Sequence, residues 1–286
     1  MWLLFGFISA ALLGCYDICK KVSVDNNAVL PVLLTSMVCS TLLQVPLAIT
    51  QIPVLDAHTH LLIFIKSCLI MTFGLTTYFG IRKVPLTIAS PIGATGPMWV
   101  VMGAVVLFGE QLEWYQIIAI AVTLLSFLAF SMIGKREGFS FRNPYVWLVI
   151  AGTLIGACSG LYDKYMLQGL SINRYAFQFF YAAEQAIMMS IFVAIFWWPK
   201  RNEGISFKWR WSILGISLFW VTSELAYFYA LSQNGAMLSI LSVIRRTGVI
   251  IPFIYGTVVL HDKNTRLKAL ALAGVLIGVA ALALMQ

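Results

Sequence analysis

Charge is what this sequence lacks. Of its 286 residues only 10% are Asp, Glu, Lys or Arg, while 60% are hydrophobic. A soluble domain carries about 25% charged and 45–50% apolar residues. The charges present here are too few to cover a water-facing surface, and the mean hydropathy of +0.90 spreads that deficit over the whole chain. This excludes a soluble enzyme, a nucleic-acid-binding module and a disordered tail. Motifs of catalysis are also missing: there is no H-E-x-x-H, no G-x-S-x-G, no Walker loop, and no run of acids spaced for a metal-dependent intramembrane phosphotransferase. The reading is therefore an integral membrane protein that is not an enzyme, with no catalytic residues, no metal and no cofactor. Without a nucleotide-binding unit, any active transport must be secondary.

Cysteine and histidine are sparse and poorly placed for a metal. Cys15, Cys19, Cys39, Cys68 and Cys158 all fall in apolar stretches, where thiols serve as small apolar packers. His58 and His60 form a lone H-x-H, read as a solvated interfacial pair. Leu12-Leu13-Gly14-Cys15 resembles a lipoprotein cleavage box, but no Lys or Arg precedes it, as a signal peptide would require.

What is present is a series of long apolar runs. A membrane-crossing helix needs about 20 such residues, a barrel strand about 10 alternating ones. The runs predict ten spans: 2–19, 28–51, 60–81, 85–108, 115–134, 145–163, 174–198, 210–231, 235–258 and 267–285. Connections following odd-numbered spans hold fourteen of the nineteen Lys and Arg, those following even-numbered spans only Lys164 and Arg174, and Lys66, Arg245 and Arg246 lie within runs. Short cytoplasmic loops accumulate Lys and Arg, so the net charge of +8 reads as topology rather than polyanion binding. Both termini are then expected outside the cytoplasm of a multi-pass cell-membrane protein, in a bacterial inner membrane.

An internal repeat divides the chain. At an offset of 146, Gly6, Ala11, Gly14, Tyr16 and Asp17 of span 1 fall on Gly152, Ala157, Gly160, Tyr162 and Asp163 of span 6. Both spans carry small residues every fourth position (Gly6/Ala10/Gly14 and Gly152/Gly156/Gly160), a spacing that lets backbones approach closely in lipid. At an offset of 152, Gly109-Glu110 falls on His261-Asp262. The predicted fold class is an all-α membrane protein of ten transmembrane helices in two inverted five-helix repeats, residues 1–134 and 145–286, joined by 135–144. An odd number of spans per unit inverts the second relative to the first.

On these residues the chain resembles a ten-helix permease of the EamA type, in the drug/metabolite transporter superfamily. The resemblance covers essentially the whole sequence. It rests on the five-plus-five layout, Gly109-Glu110-Gln111-Leu112 after span 4, Tyr78-Phe79 and Tyr227-Phe228 near the ends of spans 3 and 8, and Arg245-Arg246-Thr247. It implies a carrier whose cavity is lined by spans 1, 3, 4, 6, 8 and 9. Two departures stand out: His261-Asp262 replaces a second Gly-Glu, and the family usually keeps both termini cytoplasmic, opposite to the charge ledger.

Charges within the spans need reasons, since each costs about 2.5–3.5 kcal/mol near the bilayer centre on insertion scales. Gly235, Ser239, Ser242 and Arg246 share one helical stripe, which gives Arg246 the cavity-facing side, while Arg245 shares a face with Leu238, Leu241 and Pro252. Span 8 carries the stripe Ser217, Trp220, Glu224, Tyr227. A direct or water-mediated Arg246–Glu224 pair is possible across the tight turn at Gln233-Asn234-Gly235. Two readings stand: a pair that only holds the bundle together, or Arg246 receiving an anionic group with Glu224 as resting counter-ion or proton carrier. A guanidinium fork suits carboxylate or phosphate, and Arg245, Trp220, Tyr227 and Ser242 complete the candidate substrate-binding set. Glu224 and Glu184 are candidates for proton coupling, Glu184 equally for packing. Asp17 and Asp163, each beside a Lys, are either interfacial ion pairs or gating residues. Lys66 is expected to snorkel to the interface.

The function expected is secondary transport of a small organic metabolite, anionic or zwitterionic, by alternating access. The alternatives are a lipid-headgroup flippase or intramembrane enzyme, or a non-transporting membrane protein. The expected partners are the small-molecule substrate and the lipid bilayer, with no nucleic acid and a monomer or homodimer as assembly.

Overall fold

A computed structural model describes residues 1–51, 53–83, 92–132, 144–201, 205–259 and 265–284. The connection over 135–143, the acidic turn His261-Asp262 and the side chains of Tyr78 and Phe79 lie outside the described residues. The rest is helical: α1 (Trp2–Val24), α2 (Val29–Gln51), α3 (Ala57–Lys83), α4 (Gly96–Phe108), α5 (Trp114–Met132), α6 (Pro144–Lys164), α7 (Arg174–Phe196), α8 (Trp211–Leu231), α9 (Leu238–Arg246), α10 (Ile250–Val258) and α11 (Thr265–Leu284). Among the described residues, seven stretches are long and apolar enough to cross a membrane, counting Leu238–Val258 as one, and Ile92–Phe108, Trp114–Ala129 and Ala269–Leu282 are shorter apolar helices. Together they fall on the ten predicted spans.

Among the described residues, two departures from regular helix bear on the site. A π turn, Tyr165–Gly169, prolongs α6 beyond the predicted end at 163. Gln168 on that turn donates its Nε2 to the carbonyls of Leu231 and Ala236 at 2.7 and 3.0 Å, fastening it to the connection between α8 and α9. The predicted span 235–258 is broken: Ala236 and Met237 precede α9, and a 3-10 turn, Thr247–Val249, separates it from α10.

Small residues set the packing, as expected where lipid removes the hydrophobic drive between helices. Gly6, Ala10 and Gly14 of α1 are all buried. A Cβ on Gly14 would sit 2.4 Å from the Gly248 carbonyl oxygen, and one on Gly248 would sit 2.3 Å from that of Ala10. Backbones therefore meet where α1 crosses the 3-10 turn. A second close pair joins α5 and α11, where Gly278 faces Thr123 and the Ala119 carbonyl, and Gly274 faces Ser126.

The helix pairing is regular. Helix α1 packs on α8 and α3 on α6; α2 packs on α8 and α3 on α7; α4 packs on α6 and α1 on α9. The pairs α2–α7, α4–α9 and α5–α11 complete the pattern.

Candidate functional site: buried ion pairs around a deep arginine

Among the described residues, three ion pairs lie inside the helices. The Gly109-Glu110 motif builds the first. Gly109 ends α4 with φ 63°, a left-handed conformation that favours glycine, and its N–H donates to the Val105 carbonyl at 3.1 Å. The chain is thereby turned so that Glu110, 9% exposed, faces the start of α9. Its carboxylate accepts the N–H of Leu238 at 2.7 Å and of Ser239 at 3.1 Å. It also accepts the Ser239 hydroxyl and the Lys164 ammonium. A carboxylate at a helix N-terminus satisfies free N–H donors and favours the helix dipole. Glu110 thus ties three spans, ending in α4, α6 and α9, at the face opposite the basic loops. A shallow vestibule of about 420 Å³, lined by Glu110, Lys164, Gln168 and Gln233 among others, lies over this latch.

The second pair corrects an expectation. Lys66 does not snorkel: it is 3% exposed, and its Nζ lies 2.5 Å from Asp163 Oδ1. The ammonium also donates to Ser159 Oγ at 2.5 Å and to the Ser159 carbonyl at 3.0 Å. With α3 packed directly on α6, the side chain finds an acid within the bundle and has no need to reach for water. Asp163 likewise is not paired with its neighbour Lys164, which belongs to Glu110, and it is buried.

The third pair corrects another. Glu224, 5% exposed, is bonded by Arg245 and not by Arg246: Arg245 Nη2 lies 2.5 Å from Glu224 Oε1. The Arg245 guanidinium also lies 4.0 Å from the Tyr227 ring centroid, a cation–π contact. The reason is the direction in which α9 faces. Its Leu241 meets Gly6 of α1, so the face shared by Leu241 and Arg245 turns towards α1 and, beyond it, α8. The stripe holding Ser239 and Arg246 turns towards α4, where Ser239 meets Glu110 and the Arg246 guanidinium lies within 3.1 Å of a Cβ built on Gly96.

Arg246 is thus set apart. It stands at the end of α9, within the stretch Leu238–Val258, yet its side chain is exposed. Among the described residues no carboxylate lies within ion-pair distance of it. Asp17 is exposed as well and lies within electrostatic reach of Arg246 and Lys20. Beside Asp17, the Tyr16 ring packs against Trp220 at 5.2 Å, and Lys20 Nζ sits 5.4 Å from the Tyr16 ring centroid. Of the remaining candidates, Ser242 donates to the Ser239 carbonyl at 2.8 Å, and Glu184, half-buried, accepts the Ser67 hydroxyl at 2.7 Å.

The structure therefore separates the candidate residues into two groups. Arg245, Glu224 and Tyr227 form one cluster with Lys66 and Asp163 in electrostatic reach. Arg246 stands apart with Asp17 in electrostatic reach, while Tyr16, packed on Trp220, is in electrostatic reach of Tyr181. Lys66, Glu110 and Lys164 were not in the predicted site. Glu110 was visible only as a family marker, and Lys66 only as a charge inside an apolar run. His60 packs edge-on to Phe180 at 4.5 Å, and no metal-ligand cluster occurs among the described residues. Cys158 is exposed and the other four thiols are half-buried, so they are less enclosed than expected.

An all-helical, multi-pass membrane protein with ion pairs held inside it is the class that this fold and site define. Residues 1–132 match the model of the EamA-like transporter family. Among solved structures, one titled only "Crystal structure of protein" superposes with a TM-score of 0.74 at 14% identity, covering 99% of this chain and 96% of that one. At that identity the likeness shows the fold alone. None of the curated proteins matches the chain.

Proposed function

We infer that the protein is a secondary carrier that moves a small organic anion or zwitterion by alternating access, with Arg246 receiving the substrate's negative group. The observation that carries this reading is the exposed guanidinium of Arg246 within a membrane-spanning stretch, with no carboxylate at ion-pair distance among the described residues, where a charge without a partner is costly. A carboxylate or phosphate would be held bidentately there. Asp17 beside it suits the cationic group of a zwitterion, and Tyr16 with Trp220 suits an apolar or aromatic body. The pairing of helices supports the inverted repeat: exchanging the two halves turns α1–α8 into α3–α6, α2–α8 into α3–α7 and α4–α6 into α1–α9. Two such halves can rock around a site between them. The charge ledger supports a cell-membrane orientation with the basic loops cytoplasmic, and hence the Glu110 latch on the outer side.

The test is counterflow in proteoliposomes with a labelled panel of amino acids and small carboxylic acids. Arg246→Gln is expected to lose about 10–100-fold in rate for the transported probe, the worth of a charged hydrogen-bonded contact of about 1.5–3 kcal/mol. Arg246→Lys is expected to recover only part, because it keeps the charge without the fork. Unaltered counterflow in Arg246→Lys contradicts bidentate binding, and unaltered counterflow in Arg246→Gln contradicts the site.

A further inference from the structure

We propose that Asp163, paired with Lys66, is the residue that takes up the coupling proton. The inference deepens the carrier reading and rests on it. The buried cluster is balanced: Lys66 faces Asp163 and Arg245 faces Glu224. A proton added to it leaves one uncompensated positive charge, costly inside a membrane. The negative group of a substrate held at Arg246 offsets positive charge nearby and lowers that cost, so proton and anion favour each other's binding, and the coupling is reciprocal. A balanced pair of this kind needs one acid able to accept a proton without stranding its partner.

Asp163 meets that requirement and Glu224 does not. When the Asp163 carboxylate becomes the acid, the Lys66 ammonium keeps the Ser159 hydroxyl, the Ser159 carbonyl and the Tyr181 ring 5.7 Å from its Nζ. When Glu224 is protonated, Arg245 keeps its charge with the Tyr227 ring as its other described contact, and its Nε has no hydrogen-bond partner among the described residues. The groups facing Asp163 are Lys66 from α3, Tyr181 from α7, Glu224 and Tyr227 from α8, and Arg245 from α9, all within electrostatic reach or direct contact. Access also favours it. Ser67, the neighbour of Lys66, donates to Glu184, and Glu184 is in electrostatic reach of His60 near the start of α3. These groups place polar side chains between the α3 N-terminus and the residue next to Lys66.

The experiment is an infrared pH titration of the full-length protein in phosphatidylcholine vesicles, without any substrate, read at the protonated-carboxyl stretch. The wild type, Glu224→Gln and Glu184→Gln are expected to show a titrating band that is lost in Asp163→Asn. The double variant Asp163→Asn/Lys66→Met removes both charges, keeps the interior neutral, and is expected to lose the band too. Lys66→Arg is expected to keep the band and shift its midpoint to lower pH, because a guanidinium holds the carboxylate more firmly. A band that persists in either Asp163 variant, one that is lost in Glu224→Gln, none in the wild type, or an unmoved midpoint in Lys66→Arg overturns the proposal. Because the band is read without substrate, failed counterflow through Arg246 leaves this assignment standing, and a band surviving in the Asp163 variants overturns it whatever the counterflow shows.

Discussion

Glu224→Ala is expected to destabilise the protein by about 3–5 kcal/mol, the cost of leaving one partner of a buried ion pair alone. Arg245 cannot discharge itself, and with Glu224 gone its described contacts reduce to the Tyr227 ring. Glu224→Gln keeps an acceptor for the guanidinium and is expected to cost less. Replacing both residues by apolar ones of similar volume, Glu224→Leu with Arg245→Met, is expected to regain most of the loss, because buried ion pairs are often neutral or worse than a packed apolar pair. Thermal unfolding of the purified protein in mild detergent ranks the three variants. A Glu224→Ala protein as stable as the wild type would mean that the Arg245 pair is not formed.

The second large effect is steric. Gly14→Ala and Gly248→Ala each place a Cβ within 2.4 Å of a backbone carbonyl oxygen. Neither obstacle is a flexible side-chain tip, so α1 and the 3-10 turn must separate. Overpacking in a close-fitted core costs about 1–3 kcal/mol and occasionally more. Gly160 is the internal control, because it holds the place in α6 that Gly14 holds in α1. A Cβ there first meets Val100 at 3.8 Å, ordinary contact, so Gly160→Ala is expected to change stability by less than about 0.5 kcal/mol. The amount of folded, monodisperse protein in detergent for the three variants checks the contrast, and equal yields would contradict the close crossing.

The fold was legible because it follows from one-dimensional quantities. Hydropathy marks each span, and the number of residues needed to cross a bilayer limits how the runs can be divided. The small-residue stripe of α1 was legible for a similar reason, since its period lies within one helix. The ion pairs were not legible, because a partner is chosen by the neighbouring helix. Lys66 is indistinguishable in sequence from a snorkelling lysine until α3 is known to pack on α6. Asp163 and Lys164 look like one another's partners but point to different helices. The Arg245/Arg246 assignment inverted because the stripe of Ser239, Ser242 and Arg246 was assumed to face span 8, while α9 in fact turns that stripe to α4. The repeat offers a signal that goes unused: Asp17 and Asp163 are equivalent in sequence, yet only Asp163 has an ammonium within ion-pair distance among the described residues.

Alternating exposure of the stripe beside Arg246 is the claim on which the carrier reading depends, and Glu110 supplies the means to test it. Its carboxylate joins Lys164 to the start of α9 at the face opposite the basic loops. The measurement places a single thiol at Ser242→Cys, in a chain whose Cys15, Cys19, Cys39, Cys68 and Cys158 are replaced by serine. A membrane-impermeant maleimide is then applied from each side of sealed vesicles, with and without Glu110→Gln. Removing the charge forfeits contacts worth about 1.5–3 kcal/mol, or about 10–100-fold in the population closed at this face. The thiol is expected to react from both faces, with the rate from the Glu110 side raised at least about tenfold in Glu110→Gln and the rate from the basic-loop side lowered. Labelling from one face only, unchanged by Glu110→Gln, would contradict alternating access.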